Sequence, residues 1–296
     1  MPALVTTLNS RLETATALFE QGRLGAALTA FEELVSLAQE RSDRATEIMG
    51  RAMAARCLIK RRDVDGAAAH LSAVQLGFDE LPIDVDACLH GSQARLAMAQ
   101  GRADLRAYLR WADEREHAAS IIDACMLLAE SSPAEEQATW LERAVGEAEA
   151  SGRIHQAGAL ALQLGGVLDG LGRGEESVSA YVRAIGHQRS HGSTRGVVSA
   201  GWAAGTVLVR LESYPQAREV LEQAVESAED NDQVRDLLAL SLAELARVHE
   251  AAGDVVEARR LVIRSLRLGR EEDLPSLWPE RWRSLIQYGQ SLELDV

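Results

Sequence analysis

Apolar residues recur along this chain at helical spacing, in blocks that repeat about every 40 residues. Three stretches carry the pattern: GGVLDGLGRGEESVSAYVRAI (165–185), AGTVLVRLESYPQAREVLEQAV (204–225) and ELARVHEAAGDVVEARRLVIRSL (244–266). Each reads as a helical apolar run, a short turn and a second amphipathic helix. In the second helix Ser177, Ala217 and Ala258 stand in one column. Tyr181, Leu221 and Val262 stand four residues later, and Ala184, Ala224 and Ser265 three after that. Offsets of four and three place all three columns on one helix face. The columns extend N-terminally to Ala27, Phe31 and Leu34, and to Ala67, Leu71 and Val74. The first column steps by 40 residues from 27 to 67, by 40 from 177 to 217 and by 41 from 217 to 258. Another 40 from residue 67 lands on Ala107, followed by Trp111. A further copy fits Gln137, Leu141 and Ala144, only 30 residues on. Between about 100 and 135 the pattern therefore predicts a short helix or an irregular repeat.

A helix pair of this length cannot bury its apolar stripe alone, and stacking similar pairs makes one continuous core. Small residues in the first column let adjacent helices approach, and the large residue in the second fills the gap. The predicted architecture is all-α, a solenoid of about seven antiparallel helix pairs over residues 1–272. Residues 273–296 differ and predict a C-terminal capping helix and tail. In DLPSLWPERWRSLIQYGQSLEL (273–294) Pro279 suits a first helical turn. Trp282, Leu285, Ile286 and the run from Tyr288 to Leu292 form one apolar side. Trp278 and Trp282 are expected to be buried on the last repeat, with docking of a partner as the alternative.

Composition supports helices. Hydrophobic residues make up 47% and aromatics 4%, and Ala and Leu, the helix formers, dominate over the types that strands prefer. A net charge of -14 repels phosphate backbones and anionic lipid surfaces, which argues against nucleic-acid and membrane partners. Lys60 is the only lysine among 31 basic residues, a bias that points to GC-rich coding and a bacterial source. Cys57, Cys88 and Cys125 are odd in number and widely spaced, so reduced cysteines in a cytoplasmic protein are expected. The first residues carry no basic segment followed by an apolar one, and no run of 18 apolar residues occurs, so neither a signal peptide nor a membrane span is expected.

Candidate chemistry is sparse. Gly170-Leu-Gly-Arg-Gly-Glu-Glu176 resembles a phosphate-cradling loop, but such a loop follows a strand. Here an Ala/Leu/Gly helical run precedes it. Glu175 and Glu176 suit a helix N-terminus and would repel a phosphate placed there. The segment reads as a turn, at the place that Gly22, Glu212 and Gly253 hold in other copies. His187 and His191, four residues apart, have metal-ligand spacing, yet without a third ligand nearby they read as a solvated helix end. Cys88 and His90 form a lone pair, and Cys57 and Cys125 read as small core residues. The adjacent acids, such as Glu32-Glu33 and Glu135-Glu136, read as solvated helix faces. No catalytic set, cofactor or metal is predicted.

The string LGxxLxxLGxxxESxxxYxxA, formed by Leu164, Gly165, Leu168, Gly172, Ser177, Tyr181 and Ala184, resembles the tetratricopeptide-repeat (TPR) signature, with Ser177 where Ala is commonest. Gly205, Leu208, Tyr214, Ala217, Leu221 and Ala224 repeat it, as do Gly253, Ala258 and Val262. The resemblance covers about residues 8 to 270, with a period longer than the family's usual 34. It implies a right-handed superhelix whose first helices line a concave surface that binds a protein or peptide. In this register the free positions are Asn9, Thr16 and Phe19; Arg56, Ile59 and Lys60; Leu96; Ile122 and Met126; Leu162 and Asp169; Trp202, Thr206 and Val209; Arg247 and Glu250. Arg56, Lys60, Ile122, Met126, Leu162, Trp202, Val209 and Arg247 are the candidate partner-binding residues. Trp202, Met126 and Arg56 lead, since aromatic and Arg side chains are enriched at hot spots and Met adapts to its partner. The family's two-lysine, two-asparagine carboxylate clamp cannot be assembled from one lysine and two asparagines, Asn9 and Asn231. The expectation is a non-enzymatic adaptor with a mainly hydrophobic grip. A ligand- or peptide-responsive regulator acting through a protein is the first alternative, and an enzyme with a helical site the second. Homo-oligomerisation is also compatible with the sequence.

Overall fold

The computed structural model describes residues 2–74, 81–102 and 104–294. It divides into two compact units, Met1–Leu128 and Ala129–Val296. The first unit holds α1 (Pro2–Glu20), α2 (Leu24–Glu40), α3 (Arg44–Lys60), α4 (Val64–Ser72), α5 (Ile83–Ala99), α6 (Leu105–Glu114) and the start of α7 (Ala118–Ser131). Here α1 packs on α2, α2 on α3, and α3 on both α4 and α5. The second unit holds α8 (Ala134–Ala150), α9 (Ile154–Gly170), α10 (Gly174–His191), α11 (Thr194–Arg210), α12 (Tyr214–Ala228), α13 (Arg235–Ala251) and α14 (Val255–Glu271). Two further elements follow, the single turn α15 (Leu274–Leu277) and α16 (Pro279–Ser291). From α8 to α14 each helix packs on the next, and α11 also meets α9 and α13. The first helices of successive pairs therefore lie side by side. Among the described residues there is no strand, and no helix is long and apolar enough to cross a membrane.

The repeat columns fall on the second helix of each pair. Ala27, Phe31 and Leu34 are fully enclosed, as are Leu141 and Ala144, Ala217 and Leu221, and Ala258 and Val262. Repeat three departs from the expected register. Ala107 is exposed, whereas Leu105, Leu109 and Ala112 are buried. They keep the offsets of four and three but start two residues earlier. The cause is local: Asp104 caps α6 by accepting from the Ala107 N–H, so the ten-residue helix begins at Leu105.

Small and large columns meet where two helices touch. A Cβ on Gly165 would lie 2.5 Å from the Tyr181 ring, and one on Gly205 would lie 2.4 Å from the Leu221 side chain. The side chain of the second helix thus rests on bare backbone of the first. Ser177, in a column where Ala27, Ala67, Ala217 and Ala258 also stand, donates from Oγ to the Gly165 carbonyl at 2.9 Å, and Ser265 does the same to Ala239 at 2.6 Å. Each hydroxyl is buried but satisfied, so it costs little there.

The turns explain the glycine-rich segment. After α9, Gly172 takes the left-handed conformation at φ +75°, with its N–H on the Asp169 carbonyl and the Arg173 N–H on Leu168. This closes α9 at Gly170 and lets α10 open at Gly174. Gly22, Glu212 and Gly253 are left-handed at the equivalent places.

Arginines tie neighbouring pairs together at about one repeat of sequence separation. Arg183 bonds both carboxylate oxygens of Glu149 and also reaches Glu142. Arg195 holds Asp236, Arg210 holds Asp169, Arg264 holds Glu229 and Arg235 holds Glu271. The guanidinium fork suits such two-oxygen contacts better than a lysine does. Each exposed pair contributes little alone, but together they fix how one pair seats on the next.

The adjacent glycines of α9 give a direct test of the packing. Gly165→Ala should lower stability by about 1–2 kcal/mol, because crowding Tyr181 outweighs the gain in helix propensity. Gly166→Ala meets only the Tyr181 hydroxyl at 3.8 Å, so it should raise stability by up to about 1 kcal/mol. Urea unfolding of both variants checks the opposite signs.

Candidate functional site

In the second unit the first-helix face is formed by α9, α11 and α13. Leu162, Trp202, Thr206, Val209 and Arg247 are half-buried on it, and Glu250 is exposed. Leu162 packs against the cluster of Tyr181, Ala204 and Val207, while Trp202 and Val209 pack against the larger core around Leu221 and Leu242. Their bases are fixed by the core and their outer parts remain accessible. Asp169 is engaged by Arg210. Arg247 lies 4.3 Å from the centre of the Tyr288 ring and 3.5 Å from Glu244. Burial pushes the Glu244 carboxyl above the usual carboxylate range, and the charges of Arg247 and Arg281 pull against that rise.

The C-terminal segment reaches this face. Trp282 packs on α14, where a Cβ on Gly269 would lie 2.8 Å from its ring, and Leu285, Tyr288 and Leu292 are buried. Trp278 behaves differently from the expected burial on the last repeat. It stays 38% exposed, and its ring meets Trp202 edge-on with centroids 6.1 Å apart. The reason lies in the backbone, because Trp278 sits in the one-residue break between α15 and α16. Arg281 places its guanidinium 5.3 Å from the same Trp202 ring.

In the first unit the candidates separate. Lys60 is exposed, with its ammonium 4.7 Å from the Phe19 ring centre; Met126, Ile59 and Leu96 are half-buried, and Asn9 is exposed. Ile122 is fully enclosed, at 0% exposure. It is core, not groove, because one face of α7 turns inward and Ile122 lies on it with Ile121 and Cys125. Arg56 is half-buried and donates from Nε to the Ser92 hydroxyl at 3.0 Å. Beside it lies a polar cluster that the sequence reading missed. Arg95 makes two bonds to Asp123, one of them at 2.8 Å, and the Tyr108 hydroxyl donates to Asp123 at 3.1 Å. Burial alone raises the Asp123 carboxyl, but bonding and charge from Arg95, the Arg56 charge and the Tyr108 hydroxyl outweigh it and hold it below its ordinary value. Burial, with the Asp123 charge, pushes Tyr108 up to about 12, so it remains a donor. The available signal was Asp123 itself, a lone acid inside the apolar run AASIIDACMLLA.

The histidine pair does not converge. His187 Nε2 lies 2.7 Å from Glu149, whereas the His191 ring packs 4.3 Å from His155. Among the described residues no group of three or more His, Cys, Asp or Glu is gathered as for a metal. Cys57 and Cys125 are buried, and burial raises the Cys57 thiol to about 11.

Removing Asp123 should leave Arg95 and Tyr108 facing each other without a shared acceptor. Asp123→Ala is expected to cost about 1–3 kcal/mol, the scale for leaving partly buried, charge-assisted hydrogen bonds unmade. Because the folded pKa is lowered, the ionised carboxylate stabilises the fold above the unfolded value of about 3.9 and loses that effect as pH falls through the folded value. Denaturant unfolding should therefore show a wild-type advantage over Asp123→Asn that is constant from about pH 7 to 5 and closes below about 4.

No protein-family model matches the sequence, and no curated protein matches it. Solved structures do match. The apo form of RapI superposes with a TM-score of 0.66 at 12% identity, covering 96% of this chain and 86% of that one. The C-terminal part of a TPR repeat-containing protein from Cytophaga hutchinsonii gives 0.58 at 12% identity, covering 86% and 94%. The apo form of the quorum sensor NprR from B. thuringiensis gives 0.53 at 14% identity, covering 96% and 80%. With repeat columns on the second helices, left-handed turns at matching places and these neighbours, the chain is by fold a TPR-like helical-repeat solenoid.

Proposed function

We propose that this chain is a non-enzymatic binding module that holds a peptide, or a segment of another protein, on the first-helix faces of its repeats. The observation that carries the reading is the state of Trp202. Its ring is anchored in the core of the second unit yet half-open on a face shared with Leu162, Val209 and Arg247. A rigid aromatic flanked by apolar residues and an arginine is the composition of a protein-binding hot spot. Within the first unit, taken by itself, Arg56 and Met126 are half-buried residues of the types enriched at such contacts. The glycine-rich segment is taken up by a turn and His187 by Glu149, so the strongest enzyme-like motifs have structural roles. The acidic net charge of -14 favours a partner that is itself basic or neutral over one rich in phosphate.

The NprR neighbour, a quorum sensor, favours a second reading. In it the bound peptide is a signal, and the repeats transmit its arrival to a protein partner.

Replacing Trp202 and Met126 together by Asp should abolish capture of a partner from a lysate of the source organism, with the far-UV circular dichroism unchanged. Undiminished capture contradicts the proposal. The regulatory reading further expects the thermal midpoint to rise when the peptide fraction of the organism's culture is added. A ligand at 100 times its Kd stabilises by about 2.7 kcal/mol, and an unmoved midpoint contradicts that reading.

A further inference from the structure

The segment that follows α14 has two attachments of different character. The first is a core anchor. Asp273 turns the chain at φ +54°, Leu274 is fully enclosed, and Leu285, Tyr288 and Leu292 bury one side of α16. The second reaches past that anchor to α11. Trp278 and Arg281, three residues apart, both lie on Trp202: one ring edge-on at 6.1 Å, one guanidinium at 5.3 Å. Neither is needed to bury the side of α16. Trp278 is 38% exposed, and Arg281 is exposed.

The platform beneath them has matching chemistry. An indole face attracts both a ring edge and a cation. Glu244, on α13, lies 3.5 Å from Arg247 at the same face. Trp202 is at the same time the leading candidate for partner contact. A candidate binding residue is therefore covered by the chain's own tryptophan and arginine, through contacts that leave Arg281 exposed and Trp278 partly so.

We propose that Trp202 is a docking site for a tryptophan and an arginine three residues apart at the start of a helix, and that Trp278 and Arg281 are its resident occupants. A partner peptide presenting the same pair binds in competition with the chain's own segment 274–282. This rests on the reading of the first-helix face as a binding surface and names the chemistry that face selects. Aromatic contact supplies area, and the guanidinium over Trp202 supplies orientation.

The probe is a fluorescein-labelled peptide with the sequence of residues 274–284, LPSLWPERWRS. It is titrated into the full-length chain, into Trp278→Ala/Arg281→Ala, and into that double variant carrying Trp202→Ala in addition. The vacated site should bind the peptide at least about ten-fold tighter than wild type, a difference of about 1.4 kcal/mol. The added Trp202→Ala should remove that gain. Arg281→Ala alone, at an exposed position that cannot unfold the chain, should give a smaller gain of about three-fold. Equal binding by wild type and the vacated variants, or a gain that survives loss of Trp202, overturns the proposal. The result also separates from the capture experiment. Peptide binding that follows Trp202, with capture unaltered by the Asp substitutions, contradicts the broader binding surface and leaves the occupancy standing. Capture lost at Trp202 with no peptide gain contradicts the occupancy alone.

Discussion

The Tyr181 ring lies against bare backbone at Gly165, and the Leu221 side chain against Gly205. This close approach of the two helices in a pair is the contact on which the rest depends. It sets the distance between the helices and so decides which residues of the first helix are left on the opposite face. Each pair buries its stripe only against its neighbour, and the buried hydroxyls of Ser177 and Ser265 hold the same junctions by bonding to first-helix carbonyls. The interrepeat arginines then register one pair on the next. The face that carries Trp202 is thus a by-product of packing: it is what remains of α9, α11 and α13 once their other sides are spent on the core.

Much of this was readable in the sequence, because periodic burial leaves a periodic trace. The columns at Ala27, Ser177, Ala217 and Ala258 repeat the same packing event, and left-handed turns recur at Gly22, Gly172 and Gly253 for the same steric reason. The reading slipped where the period broke. At α6 a cap by Asp104 starts a short helix early, and Ala107 falls outside the buried set that Leu105, Leu109 and Ala112 form. One residue of register also separates core from surface on a helix, so Ile122, expected on a groove, is enclosed instead.

Contacts between residues far apart in sequence were the harder part. The cluster of Arg95, Tyr108 and Asp123 joins three helices, and a lone acid in an apolar run shows only that some partner exists. The lysine-poor composition reads as coding bias, and it says nothing of which acids the arginines bridge, such as Arg183 to Glu149. For Trp278, amphipathic spacing described α16 correctly but could not place a residue in the break before it. Its position on Trp202 follows the turn at Asp273 and the packing of α16 on α14.

The central claim is that partners are held on the first-helix face around Trp202. Site-specific photo-crosslinking in the source organism tests it most directly. A photoreactive residue at Thr206, half-buried on that face, is compared with one at Val182, 50% exposed on the second helix α10. The account predicts crosslinks to a partner from position 206 and none from 182. Crosslinks from 182 with none from 206 would contradict it.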